Sequence, residues 1–218
     1  VYLTSGPGLY KIKVYETSGD KYGTYQGPCA WFQVKNQDTR QQTFLLPGQG
    51  IESSARAITD LALQLTAGLT GDTAKSRAIH DWVCKNIAYD TEAYFSGTYI
   101  YKDYSALNVL KTRVGTCEGY SNLNAALHRA AGIPARVVRG KAIRLYLNET
   151  WDSTGGGANH AWNEVFIDGR WVTEDTAWDA GTVDFSARVF RPAFTLRYFD
   201  LDPAALALDH RRYSIDQR

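Results

Sequence analysis

The feature that most constrains the fold is a hairpin signal within residues 160–178 (HAWNEVFIDGRWVTEDTAW). Two runs rich in aromatic and β-branched residues flank Asp168-Gly169, a dipeptide typical of two-residue hairpin turns. If these two residues form the turn, the register is fixed and Trp162 lies opposite Asp175. The sequence therefore predicts two adjacent antiparallel strands, over 160–167 and 170–178, with a defined pairing.

This register places His160 and Asp175 on one face of the sheet, because residues two apart on a strand point the same way. The two are diagonal neighbours, and diagonal Cβ atoms lie about 7 Å apart, within reach of a carboxylate to imidazole hydrogen bond. A His held by an Asp is the base and orienting part of a nucleophilic triad. The hairpin therefore predicts two of three triad residues.

Cys117 is the candidate nucleophile. It lies in GTCEGYS, residues 115–121, at the predicted N-terminus of a helix, where unpaired backbone N–H groups and the helix dipole stabilise a thiolate. The flanking glycines would let a substrate approach closely. We expect the Cys117 backbone N–H to stabilise an oxyanion, with Tyr104 as a second donor. Trp162 is a candidate wall of the substrate site, with core packing as the alternative.

The rest of the chain divides into a β-rich start and a mixed remainder. We predict short strands at 9–15, 30–35 and 43–46 in a β-rich segment, and a domain boundary near residue 50. Hydrophobic periodicity predicts helices over about 53–68, 72–88 and 117–132, with a shorter one around residues 107–110. β structure is predicted over 136–147, whereas the tyrosine-rich 89–104 and the glycine-rich 151–159 are expected to be loops.

Composition excludes several classes of protein. Lys and Arg number 24 against 23 Asp and Glu, giving a net charge of +1 with interspersed signs, so no basic stripe suits a nucleic acid. Hydrophobic residues make up 44% of the chain, too many for a disordered protein. No run could span a bilayer. The chain begins with Val1 and contains no Met, which we interpret as a processed or trimmed segment.

The order of Cys117, His160 and Asp175 along the chain resembles that in the transglutaminase-like superfamily. The resemblance rests on GTCEGYS, on GIPARVVRG (132–140) and on NHAWNEVFIDGRWVTEDTAWD (159–179), and the tail YFDLDPAALALDHRR (198–212) is similar to the end of bacterial members. It implies a papain-like α+β fold over residues 51–218, with the nucleophile helix packed on an antiparallel sheet. It also implies Cys117 as nucleophile, His160 as general base and acid, and Asp175 as orienter.

The resemblance implies a cysteine enzyme that acts on peptide or isopeptide amides through a thioester, by hydrolysis or by transfer to an amine. The alternative is a non-catalytic surface module that binds a peptide or a cell-wall component. We expect a peptide or protein substrate, no cofactor and no metal, since His80 and Cys84 offer only two ligands. Secretion or surface attachment is implied by the resemblance. His210, with the two arginines after it, is interpreted as a solvated tail.

Overall fold

A computed structural model describes residues 8–15, 28–36, 41–152 and 157–216. The described helices are α1 (Arg56–Thr66), α2 (Asp72–Asn86), α3 (Thr91–Ser96), α4 (Ala106–Thr112), α5 (Cys117–Ala130), α6 (Thr176–Ala180) and α7 (Pro203–Leu206). The described strands are β1 (Gly8–Val14), β2 (Ala30–Asn36), β3 (Ala88–Tyr89), β4 (Val114–Gly115), β5 (Ala135–Ala142), β6 (His160–Ile167), β7 (Arg170–Glu174), β8 (Gly181–Asp184), β9 (Val189–Pro192) and β10 (His210–Asp216). Short 3-10 helices cover Gln41–Leu45, Thr98–Tyr101 and Leu145–Leu147.

The central sheet has four antiparallel strands in the order β10-β5-β6-β7. The predicted hairpin is confirmed, because Ile167 pairs with Arg170 and the ladder keeps the expected register. Asp168 and Gly169 have φ angles of 49° and 84°, the left-handed backbone that a two-residue turn of type I′ requires. Local turn chemistry therefore sets the pairing of β6 with β7.

Helix α5, which begins at Cys117, packs on one face of this sheet, as the predicted papain-like α+β fold requires. Its apolar side chains Leu123 and Leu127 are fully buried, and they meet the alternating inward residues of β6, such as Val165. Helices α1, α2 and α4 surround α5 on its other sides. The core thus fixes the helix whose first residue is Cys117.

The N-terminal part differs from the prediction in one element. β1 and β2 form a separate antiparallel pair, whereas the third predicted strand, at 43–46, is a 3-10 helix over Gln41–Leu45. The ring of Phe44 in this 3-10 helix packs edge-on against Trp171 of β7, with centroids 5.4 Å apart. The domain boundary near residue 50 stays a prediction.

Three other expectations were wrong. The tyrosine-rich 89–104 is ordered as β3, α3 and a 3-10 helix, because the Asp90 carboxylate caps α3 through the Ala93 N–H. The second strand of the hairpin ends at Glu174, since the next residue starts α6. The predicted solvated tail around His210 is β10, an edge strand paired with β5. Residues 153–156 of the predicted glycine-rich loop lie outside the described residues.

Candidate active site

Cys117 is the first residue of α5, and Thr116 alone separates it from β4. The two-residue strands β3 and β4 pair in parallel, with Tyr89 opposite Gly115. The Asp90 N–H also donates to the Gly115 carbonyl, at 3.0 Å. This short ladder therefore presents Tyr89 beside the N-terminus of α5. Cys117 itself is partly exposed, as a reactive thiol must be.

The glycine of GTCEGYS that follows Cys117 has a packing role that differs from the prediction. A Cβ atom on Gly119 would lie 2.9 Å from a Val109 methyl carbon and 3.3 Å from the Tyr104 ring. Gly119 faces α4 and the segment before it, so it lets α4 approach α5 and does not open a path for substrate.

His160 and Asp175 meet as the hairpin register predicts. His160 Nε2 lies 2.6 Å from Asp175 Oδ2, and the two side chains are 7% and 0% exposed. Burial lowers the pKa of His160, but the charge and hydrogen bond of Asp175 and the contact with Cys117 outweigh burial and raise it to about 10. Burial likewise raises the pKa of Asp175, yet His160 and His210 hold it well below its usual range.

The Cys117 thiol interacts with the His160 imidazole, and this interaction helps to raise the pKa of His160. Since Nε2 of that ring is bonded to Asp175, Nδ1 remains for the thiol. The structure thus brings the three predicted triad residues together, with His160 between Cys117 and Asp175. This arrangement can hold a thiolate beside an imidazolium ion, and their catalytic roles remain predictions.

The candidate oxyanion tyrosine is Tyr89 and not Tyr104. The Tyr104 hydroxyl is buried and donates to the Asp90 carboxylate at 2.9 Å, so its proton is not available for an oxyanion. By contrast, Tyr89 lies opposite Gly115, two residues before Cys117, and lines the cavity beside His160. Sequence reasoning missed Tyr89 because the short β3–β4 ladder that places it gives no periodic signal.

Trp162 lies beneath His160 and outside the cavity lining. Its side chain is 2% exposed and stacks on the His160 ring, with centroids 6.0 Å apart. The structure therefore assigns it the core-packing role and gives a substrate no surface on it. Trp178 is half-buried, packs against the core and lines a cavity of about 340 Å³ next to His160.

The sequence analysis also missed His210. Its side chain is fully buried, and its Nε2 lies 3.1 Å from the same Asp175 oxygen that binds His160. Its Nδ1 lies 2.6 Å from Asp209 Oδ1. The Trp178 N–H donates to the other Asp175 oxygen at 3.0 Å. An available signal was the Asp-His pair before a β-like run, in a tail that resembles family members.

A second buried polar cluster ties α5 to β7. The Glu174 carboxylate accepts from Asn124 of α5 at 2.9 Å and from Ser76 of α2, and it lies 3.5 Å from both His80 and His128. Burial raises the pKa of Glu174, but the charges and hydrogen bonds of the two histidines outweigh burial and hold it well below its usual range. The cluster anchors α5 on the strand that leads to Asp175.

The described residues contain one group with a spacing near that of metal ligands, namely His160, Asp175 and His210. Two ligands of a tetrahedral zinc ion lie roughly 3.3 Å apart, given zinc to nitrogen or oxygen distances near 2 Å. The Asp175 oxygen is 2.6 Å from one histidine nitrogen and 3.1 Å from the other. These separations fit direct hydrogen bonds and leave no space between the groups for an ion.

Comparison with known proteins agrees with the geometry. The sequence model of the transglutaminase-like superfamily matches residues 59–176, which is more than half of the chain. The chain belongs to the transglutaminase-like superfamily. The expected family and the papain-like α+β fold are thereby confirmed.

Several relatives share this region. Kyphoscoliosis peptidase of Mus musculus is 31% identical over 169 residues, which cover 73% of this chain and 25% of the mouse protein. The Bacillus subtilis uncharacterized protein YebA is 30% identical over 133 residues, which cover 56% of this chain and 17% of that protein. The chain thus spans a quarter or less of the length of these relatives.

One solved structure shares the fold at a low level of sequence identity. It is a candidate cysteine protease from Cytophaga hutchinsonii, 20% identical, with a TM-score of 0.52 over 97% of this chain and 77% of that one. Among the described residues no helix is long and apolar enough to cross a membrane.

Proposed function

We propose that this protein is a cysteine acyl-transfer enzyme that acts on peptide or isopeptide amides. The observation that carries the proposal is the position of Cys117 at the N-terminus of α5, beside the hydrogen-bonded pair of His160 and Asp175. Membership of a superfamily that includes cysteine peptidases and acyltransferases supports the same reaction class.

In the proposed reaction, the Cys117 thiolate attacks the amide carbonyl carbon and forms a carbon–sulfur bond. The oxyanion receives hydrogen bonds from the Cys117 N–H and the Tyr89 hydroxyl. The carbon–nitrogen bond then breaks, and His160 gives its proton to the leaving amine. Water attacks the resulting thioester, His160 takes one water proton, and the carbon–sulfur bond breaks to release a carboxylic acid. A primary amine in place of water gives a new amide.

The cavity beside His160 supports a peptide substrate with a large apolar side chain. Among the described residues, its wall includes the aromatic side chains of Tyr89, Tyr94, Trp178, Phe185, Phe190 and Tyr198. The two arginines of the wall are already near carboxylates, since Arg144 binds Glu149 and Arg197 lies 3.8 Å from Asp209. We therefore expect an apolar or aromatic side chain to occupy the cavity in preference to an acidic one.

The test is incubation of the protein with a defined casein substrate, with and without a fluorescent primary amine, followed by mass spectrometry of the products. Cleaved peptides indicate hydrolysis, and amine incorporation at glutamine side chains indicates transfer. Cys117→Ala is the matched inactive control. If wild type and Cys117→Ala give the same products for a broad set of peptides, the enzyme proposal fails and the non-catalytic binding module gains support.

Secretion or surface attachment remains a separate proposal, drawn from the family resemblance alone. Fractionation of the source cells into soluble, membrane and extracellular material, with an antibody to this chain, tests it. Detection in the soluble intracellular fraction alone would contradict it.

A further inference from the structure

His210 is buried next to the triad and contacts carboxylates on both sides. Its Nε2 lies 3.1 Å from Asp175 Oδ2, and its Nδ1 lies 2.6 Å from Asp209 Oδ1. The second oxygen of Asp209 accepts a hydrogen bond from the Tyr198 hydroxyl at 2.7 Å. The ring also packs against Trp178, with centroids 4.6 Å apart. These contacts fix the ring on every side.

The hydrogen-bond partners of the His210 ring indicate how many protons the ring carries. An ionised carboxylate only accepts hydrogen bonds, and a neutral imidazole donates from one nitrogen and accepts at the other. A neutral His210 would therefore leave one nitrogen lone pair facing a carboxylate oxygen at hydrogen-bond distance. A doubly protonated ring donates to Asp175 and to Asp209, and it satisfies both contacts.

The surrounding charges balance with this assignment. Several titratable or charged groups lie around His210. Asp209 precedes it in the chain, His160 begins β6, Asp175 follows β7, and Arg197 and Tyr198 lie before α7. Cys117, at the start of α5, lies beyond His160. Of these groups, Asp175 and Asp209 are buried carboxylates that face the two buried imidazole rings, whereas the Arg197 guanidinium is exposed. With both rings protonated, two negative charges face two positive charges. The buried site holds no net charge, which low-dielectric surroundings favour.

We propose that His210 is a positioning residue of the active site, a buried cation that shares the Asp175 carboxylate with His160. Both histidines bind the same Asp175 oxygen, and their ring centroids are 5.4 Å apart. His210 holds the carboxylate in place and offsets part of its charge. Asp175 can then orient His160 without binding the imidazolium proton so tightly that His160 cannot act as a base.

This inference rests on the proposed function for its consequence in catalysis, but its direct test does not. Ring nitrogen shifts of histidine, measured by NMR on the full chain at about pH 7, report whether each nitrogen carries a proton. We expect both nitrogens of His210 to be protonated. A neutral ring with a single protonated nitrogen overturns the proposal, whatever the activity of the protein.

The second measurement is the pKa of His160 by NMR in a Cys117→Ala background, which removes the thiolate as the acyl-enzyme also does. His210→Gln keeps an amide donor but loses the charge, so the pKa of His160 should rise by about one to two pH units at this separation. An unchanged pKa contradicts the proposal. His128→Gln is the matched control, because this buried histidine contacts Glu174 and not Asp175, and it should leave the pKa of His160 unchanged.

Kinetics then separate positioning from mere stability. If the enzyme is active, His210→Gln should lower kcat at neutral pH by about tenfold for each pH unit gained by His160, with little change in KM, and higher pH should restore the rate. A structural role alone would reduce activity equally at every pH. If Cys117 proves inactive in wild type, the proposed function fails while the NMR results still decide the state of His210.

Discussion

Asp175→Asn is the substitution that most sharply tests the triad. The Asp175 carboxylate accepts from His160 and His210 through one oxygen and from the Trp178 N–H through the other. An amide has one oxygen and one NH2 group. If its oxygen keeps the Trp178 N–H, its NH2 faces His160 and forces Nε2 to accept. The remaining imidazole proton then lies on Nδ1, which faces the thiol and can no longer accept its proton.

The structure gives a magnitude for this loss. The contacts of His160 raise its pKa from 6.5 to about 10, which corresponds to about 5 kcal/mol in favour of the imidazolium ion. Asp175 is the first of the groups that raise it. Loss of about 3 kcal/mol or more would slow acylation roughly 100-fold or more.

The assay is the rate of a single turnover on a peptide amide, together with the rate of Cys117 alkylation, at several pH values. Asp200→Asn is the matched control, because this carboxylate pairs with Arg170 at the surface and its loss should leave both rates unchanged. Circular dichroism checks that each variant is folded. A folded Asp175→Asn protein with both rates within about threefold of wild type, well short of the loss expected from the broken charge-assisted bond, would refute the orienting role.

Three further substitutions test other parts of the site. Tyr89→Phe should lower kcat/KM roughly 10- to 100-fold, because an oxyanion donor is lost, while the rate of Cys117 alkylation stays normal. Tyr104→Phe is the control, and equal losses of kcat/KM in the two variants would contradict the assignment of Tyr89. Gly140→Ala should destabilise the fold by about 2 kcal/mol or more in a denaturant titration, since the new Cβ would lie 2.2 Å from the Arg211 carbonyl oxygen. Unchanged stability would contradict this close packing of β10 on β5. Glu174→Gln should destabilise the protein near neutral pH by about 3 kcal/mol. The pKa of Glu174 is low in the folded state, so its contribution is present above about pH 4.3 and is lost as pH falls further; an equally steep acid-side loss of stability in the variant would contradict this.

The triad could be predicted from the sequence because its geometry is mostly local. Asp168-Gly169 fixes the turn, the turn fixes the register, and the register puts His160 diagonal to Asp175. Cys117 was found from its helix N-terminus and its motif. In each case neighbouring residues carry the information, and a one-residue error would have moved the side chain to the other face.

The residues that the sequence analysis missed depend on long-range pairing. His210 reaches Asp175 only because β10 pairs with β5, about seventy residues earlier in the chain, and no local pattern encodes that partner. Tyr89 lies beside Cys117 through a ladder of two residues per strand, too short for a periodic signal. Trp178 and Asp175 belong to a helix start that interrupts an otherwise β-like run, because the Asp175 side chain caps it.

The measurement that tests the central claim most directly is intact-protein mass spectrometry after brief iodoacetamide treatment at about pH 6, where an ordinary thiol is almost wholly protonated and unreactive. Wild type and His160→Ala are compared, and peptide mapping distinguishes Cys117 from the exposed Cys29 and the buried Cys84. We predict rapid single labelling at Cys117 in wild type and slow labelling in the variant. Slow labelling of Cys117 in both proteins, or equal labelling of Cys117 and Cys29, would contradict an activated nucleophile.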